Sequence, residues 1–331
     1  MPDLATRRVM LLGATGTIGR ATAEALLAKG HDVVCFVRSA SGDPRRGLPA
    51  GLTLRFGEVT DPVSLEHQGF AGERFDVLVS CLASRTGTPL DAQAIDCKAH
   101  VDALRLAKAA GVSQMVLLSA ICVQRPLLAF QQAKLAFEAQ LVTSGLDYVI
   151  VRPTAFFKSL SGQVERVRQG KPFLLFGDGS LTACKPISDA DLGHYLAECL
   201  DNPERRNRIL PIGGPGPAIT PLQQGEELFR LLGQQPKYRH VPVAMMDTII
   251  GTLGLLGRVV PRLRNKAELA RIGRYYATES MLVLDPDTKA YNADATPSTG
   301  SETLFGYYDK LVKEKAVVNL GEHAIFQRNT A

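Results

Sequence analysis

Three glycines, spaced Gly13-Ala-Thr-Gly16-Thr-Ile-Gly19, are the first residues whose type and spacing could do chemistry. They directly follow an apolar run at 9–12 and open a helical pattern at Thr17. In that setting glycine permits a tight turn and close approach of a pyrophosphate. The phosphate charge then meets backbone N–H groups and the positive end of the helix dipole. Gly13, Thr15, Gly16, Thr17, Ile18 and Gly19 are therefore the expected dinucleotide cradle. After the next apolar run, where a carboxylate would hold a ribose 2′-hydroxyl, the chain reads Val37-Arg38-Ser39, with Arg45 and Arg46 beyond it. A guanidinium there suits a 2′-phosphate. NADPH is thus expected over NADH, with Arg38, Ser39 and Arg45 as contacts, against the alternative of a solvated basic loop at Arg45 and Arg46.

These residues need a scaffold, and the hydrophobic pattern supplies one. Short runs rich in β-branched residues at 9–12, 33–37, 52–56, 75–80, 115–119 and 148–151 read as strands. Their unbroken apolar character suits a parallel sheet buried on both faces. Between them, 17–29, 91–110 and 131–144 carry apolar residues at helical spacing, two of them ending at Gly30 and Gly145. The expected fold class is α/β, a doubly wound parallel sheet of Rossmann type with a smaller C-terminal lobe. Residues 7–155 form the cofactor domain, its sheet completed by later strands, and 156–331 the substrate lobe. One helix start in that lobe is marked by Thr220-Pro-Leu-Gln223: a Thr cap, Pro at the first helical position, and Gln three residues after the cap.

Composition narrows the function. The 38 Lys and Arg against 33 Asp and Glu give a net charge of only +5, spread out rather than in runs, so nucleic acid is not implied. Six cysteines, at 35, 81, 97, 122, 184 and 199, form no CxxC pair, so neither a metal site nor an iron–sulfur cluster is expected. Cys122 is read as a buried inert thiol, with proton supply as the alternative. No signal- or transit-like stretch precedes the first strand, the arrangement expected of a cytoplasmic protein. Met245, Ile249, Leu253, Leu256 and Val260 recur at helical spacing, too short a run to span a bilayer. Arg258, Arg262, Arg264, Lys266, Arg271 and Arg274 follow. This segment reads either as a core helix with a solvated basic face, or as a surface that closes over an anionic ligand or makes a peripheral membrane contact.

The spacing Gly13-x-x-Gly16-x-x-Gly19 resembles the extended and atypical short-chain dehydrogenase/reductases. That resemblance puts Val59 near the adenine, Cys81 and Leu82 beside the ribose, and Pro153 and Phe156 near the nicotinamide. Such reductases carry a tyrosine four residues before a lysine, as proton donor and ribose ligand. Here the matching segment is Phe130-Gln-Gln-Ala-Lys134, so the lysine persists without the phenol. Ketone reduction is disfavoured and reduction of a carbon–carbon double bond favoured. Ser119, ending the fifth strand, is a candidate for orienting substrate or nicotinamide, or simply for satisfying local backbone groups.

The stretch from Val116 through Ser119, Cys122 and Lys134 to Glu138 resembles the divinyl (proto)chlorophyllide 8-vinyl reductases. So do Arg152-Pro-Thr-Ala-Phe-Phe-Lys158, Lys185-Pro-Ile-Ser-Asp-Ala-Asp191, Ala270-Arg-Ile-Gly-Arg-Tyr-Tyr-Ala-Thr-Glu-Ser-Met-Leu282 and Thr296-Pro-Ser-Thr-Gly300. The resemblance implies reduction of a Mg-divinyl tetrapyrrole by NADPH in the cytoplasm of a phototrophic bacterium, at or near the photosynthetic membrane. It also makes Lys134, Ser119 and Tyr276 the catalytic candidates, with Tyr275 or Tyr276 replacing the missing phenol. The alternatives are another atypical reductase resembling the isoflavone reductases and a non-enzymatic NADP-sensing regulator.

Overall fold

The computed structural model describes residues 6–38 and 47–314, so Ser39, Arg45 and Arg46 lie outside the described residues. The chain divides into two compact units. The first comprises 1–84, 89–153 and 189–212, the second 85–88, 154–188 and 213–331. The division thus falls at 153/154 rather than 155/156, and the segment 189–212 returns to the first unit.

The first unit is built on a seven-stranded parallel sheet. Its strands are β1 (Arg8–Leu12), β2 (Asp32–Val37), β3 (Thr53–Phe56), β4 (Val77–Ser80), β5 (Gln114–Leu118), β6 (Asp147–Pro153) and a late strand, β8 (Arg208–Ile212). Their order across the sheet is β3-β2-β1-β4-β5-β6-β8. The six runs expected from the sequence are present, with β4 starting two residues later than its apolar run and β6 reaching Pro153. Strand β8, a later strand of the kind expected to complete the sheet though not located from the sequence, pairs with β6 from Val149↔Arg208 to Pro153↔Ile212. It is an edge strand, exposed over its first half and interrupted by Pro211, so it has neither alternation nor an apolar run. Met10, Leu12, Val34, Phe36, Leu78, Met115, Phe137 and Ile150 pack into one core. The helix Thr17–Ala28 packs on Asp189–Glu198, where a Cβ on Gly193 would meet the Ala21 carbonyl carbon at 2.5 Å. The helix expected at 91–110 is three pieces: Pro89–Ala92, a π-helical segment Gln93–Ala99, and His100–Ala109.

In the second unit, β7 (Phe173–Phe176) and β9 (Tyr238–Val241) form a short parallel pair. They pack with Phe157, Leu228, Phe229 and Tyr308, whose hydroxyl donates to the Leu160 carbonyl at 2.8 Å. The helix Pro221–Leu232 starts as its sequence predicts. The Thr220 hydroxyl accepts from the Gln223 N–H at 3.3 Å, and the Gln223 side chain accepts from the Thr220 N–H at 2.9 Å. The apolar segment does not take the first of its two readings, a core helix. It forms the helix Val243–Leu256, but none of its residues is buried, so it is no core helix, and Val260 lies outside it as the cap of the next helix, Pro261–Thr278.

Candidate active site

Because the strands run parallel, the loops after β1, β2, β3 and β4 all leave the same edge of the sheet. The sense in which successive strands are added across the sheet reverses between β1 and β4, the place where α/β sheets open a crevice for ligands. Gly13 sits there with φ +79°, and a Cβ on it would come within 2.6 Å of the Cys81 carbonyl carbon. A Cβ on Gly19 would collide with the Gly13 carbonyl. Both glycines are thus demanded by the protein's own backbone. Gly16 is different. Its N–H donates to the Gly13 carbonyl at 3.1 Å, and an added Cβ would meet only that oxygen, at 3.4 Å. Glycine there keeps free a space that none of the described residues fills, directly over the N-terminus of a twelve-residue helix whose first turn holds no acid. This cradle fits a pyrophosphate.

Around it, Arg38 is exposed just past β2 and Thr15 is exposed on the loop. Val59 is buried after β3, and Cys81 and Leu82 are part-buried after β4. The Cys81 thiol lies 3.6 Å from the Thr22 hydroxyl, and burial pushes it up to about 12, so it stays protonated. Ser39 and Arg45 fall outside the described residues. Pro153 ends β6 in the first unit, and Phe156 falls in the second, half-buried.

Lys134 lies on the helix Ala129–Val142, and its ammonium pairs with the Asp96 carboxylate at 2.9 Å. The lysine side chain is 10% exposed and that of Asp96 fully buried. Asp96 Oδ1 also accepts from the Ser84 N–H at 3.2 Å, while Oδ2 is buried with no hydrogen-bond partner among the described residues. One helical turn on, His100 is buried with Nε2 2.8 Å from the Ser80 hydroxyl and Nδ1 2.8 Å from the Ile95 carbonyl. Those partners fix the neutral tautomer: Nδ1–H donates to the carbonyl and Nε2 accepts from the serine. Burial first, then the Lys134 charge, lower His100 to about 4. Sequence reasoning missed both Asp96 and His100. Phe130 packs against Ala92, Cys97 and Ala133, so the position of the absent phenol is filled by an apolar contact.

Ser119 lies just past β5 and is buried; its hydroxyl donates to Glu138, which also pairs with Arg152. Arg152 Nε reaches the Glu138 oxygen at 3.3 Å. The serine thus belongs to a buried ion-pair network joining β5, β6 and the Ala129–Val142 helix. Tyr276 lies in the second unit on the helix Pro261–Thr278 and is 42% exposed, while Tyr275 is buried and meets it edge to face at 5.7 Å. A cavity of about 310 Å³, lined by Arg7, Asp76, Ser113, Gln114, Asp147 and Arg206, opens at the opposite edge of the sheet and has no part in this site.

Residues 13–203 match the NAD(P)H-binding family. The chain is 47% identical to the chloroplastic divinyl chlorophyllide a 8-vinyl-reductase of Oryza sativa subsp. indica, over 96% of this chain and 82% of that protein. It is also 47% identical to the Cucumis sativus protein of the same name, over 96% and 79%. Among solved structures, leucoanthocyanidin reductase of Vitis vinifera in binary complex with NADPH superposes with a TM-score of 0.67. It covers 92% of this chain and 99% of that one, at 14% identity.

Proposed function

The chain belongs to the divinyl chlorophyllide a 8-vinyl-reductase family, and on that premise we propose that it reduces the 8-vinyl group of divinyl chlorophyllide or protochlorophyllide to ethyl with NADPH. The observation that carries this reading is the 47% identity across 96% of the chain.

NADPH, when bound, supplies the hydride. The chain's own residues hold and orient: Gly13, Thr15, Gly16, Thr17, Ile18 and Gly19 take the pyrophosphate through backbone N–H groups. Arg38, with Ser39 and Arg45, takes the 2′-phosphate. Val59, Cys81 and Leu82 face the adenosine half, Pro153 and Phe156 the nicotinamide half. Lys134 binds the nicotinamide ribose hydroxyls, its ammonium steadied by Asp96. Ser119, its hydroxyl given to Glu138, keeps the end of β5 in place. Addition to a vinyl group conjugated with the macrocycle leaves charge spread over the ring, so a weak acid suffices to finish the reaction. Tyr276 is our proposed donor. We assign the pigment's apolar contacts to the second unit and the reaction to the cytoplasmic side of the photosynthetic membrane. Among the described residues no helix is long and apolar enough to cross a membrane.

The test is anaerobic incubation of the purified protein with divinyl chlorophyllide and NADPH, with NADH as control. Conversion to the monovinyl pigment, faster with NADPH, is expected. NADPH binding without conversion would sink the tetrapyrrole assignment and favour another reductase or a sensor.

A further inference from the structure

The helix Val243–Leu256 is apolar at nine of its fourteen positions, yet none of its residues is buried. Met245, Ile249, Leu255 and Leu256 on it, and Val259 and Val260 just beyond, are all large apolar side chains in the open, Leu255 at 63% and Val259 at 84% exposure. By contrast the following helix, Pro261–Thr278, buries Ala267, Ile272, Tyr275 and Ala277. Single exposed apolar residues are ordinary, but a contiguous patch marks a surface that something else covers.

The charges beside the patch say what that is. Arg258, Arg262, Arg264 and Lys266 crowd the turn between the two helices, all exposed. The acids nearest in the chain are already engaged: Asp247 pairs with Arg274, and the buried Glu268 with Arg271 at 3.0 Å. Among the described residues none of the four turn cations has an ion-pair partner. The Arg264 guanidinium donates to the Gly257 carbonyl at 2.8 Å and stiffens the turn. At 1.5 Å per residue the helix is about 21 Å long, shorter than the roughly 30 Å hydrocarbon core, so it suits lying in an interface. An apolar partner without anionic groups would leave the cations uncompensated. A second copy related by a two-fold axis would bring the same four cations into one interface.

We propose that the hairpin 243–278 is a monotopic membrane-docking surface, its apolar helix seated among acyl chains and its basic turn against anionic lipid headgroups. This does not rest on the vinyl-reductase reading, and its test needs no pigment. The protein is sedimented with vesicles of phosphatidylglycerol and phosphatidylcholine, and with phosphatidylcholine alone. Binding to the anionic vesicles, at least tenfold weaker to the neutral ones and weakened by 0.5 M salt, is expected. Leu255→Asp/Val259→Asp and, separately, Arg258→Glu/Arg262→Glu should each lose at least tenfold in binding while keeping the wild-type circular dichroism and melting temperature. No binding by the wild type, or equal binding by both variants, overturns the proposal. Concentration-dependent dimers abolished by Leu255→Asp, without vesicle binding, would make a second copy the occupant. Loss of turnover on detergent-dispersed pigment, with vesicle binding intact, would make it the pigment.

Discussion

Asp96 is a carboxylate that folding has removed from water, and the Lys134 ammonium at 2.9 Å compensates it. Asp96→Asn keeps the shape and removes the charge, leaving the lysine unpaired beside a neutral histidine. Breaking such a pair costs about 3 kcal/mol, so chemical denaturation should show a loss of that order. If Lys134 works as a ribose ligand, KM for NADPH should rise about tenfold while kcat falls less; unchanged KM would leave the pair structural only. His100 makes a separate prediction. Its pKa falls from 6.5 unfolded to about 4 folded, so the unfolded chain binds more protons between those values. The stabilisation is complete above pH 6.5 and is lost as pH falls toward 4, at most roughly 3 kcal/mol. His100→Gln should flatten the stability–pH curve between pH 6.5 and 4 relative to wild type; parallel curves would contradict a buried neutral imidazole. Lys134 could be found from the sequence through its spacing from Phe130. Asp96 and His100 could not, because the π-helical turns over Gln93–Ala99 break the 3.6-residue count that tells inward from outward. Glu138 and Arg152 were hidden for a related reason, since charged residues on a helix and a strand ordinarily face water.

At the scale of elements, the glycine loop separates two tasks that its sequence pattern merges. Gly13→Ala and Gly19→Ala put a Cβ into backbone atoms, the first also at φ +79°, and should lower the melting temperature by many degrees or abolish folding. Gly16→Ala meets a single oxygen at 3.4 Å and should leave the melting temperature within a few degrees of wild type. Its NADPH affinity, followed by fluorescence titration, should nevertheless fall at least tenfold. An affinity equal to wild type would mean the pyrophosphate does not lie over residue 16. The five interior strands were legible because burial on both faces writes an unbroken apolar run, whereas β3, an edge strand with no buried residue, was marked only by its short run at 52–56. The short β7 and β9, four residues each and bounded by turns, carry too little pattern to separate them from loop. The apolar helix Val243–Leu256 was legible as a helix, but whether it is core or surface was left open, since periodicity reports the presence of a face and not what covers it.

On the scale of the whole molecule, the first unit is discontinuous in the chain; that later strands complete its sheet was expected, but not which segment supplies them. Nothing in 189–212 announces that its strand joins β6 or that its helix covers Thr17–Ala28. A fragment ending at residue 155 would leave the β6 edge open and the Ala21 face bare. It should therefore fail to bind NADPH and should aggregate, as judged by light scattering and fluorescence titration; a soluble, NADPH-binding fragment would show that the late segment is dispensable. The same discontinuity sets a timetable during synthesis. Six strands have left the ribosome when Pro153 emerges, but the seventh is complete only at Ile212. At about 5–20 residues per second that is an interval of several seconds. Through it the nascent sheet displays the open edge of β6, so the cell must shield that edge or fold slowly enough not to need it.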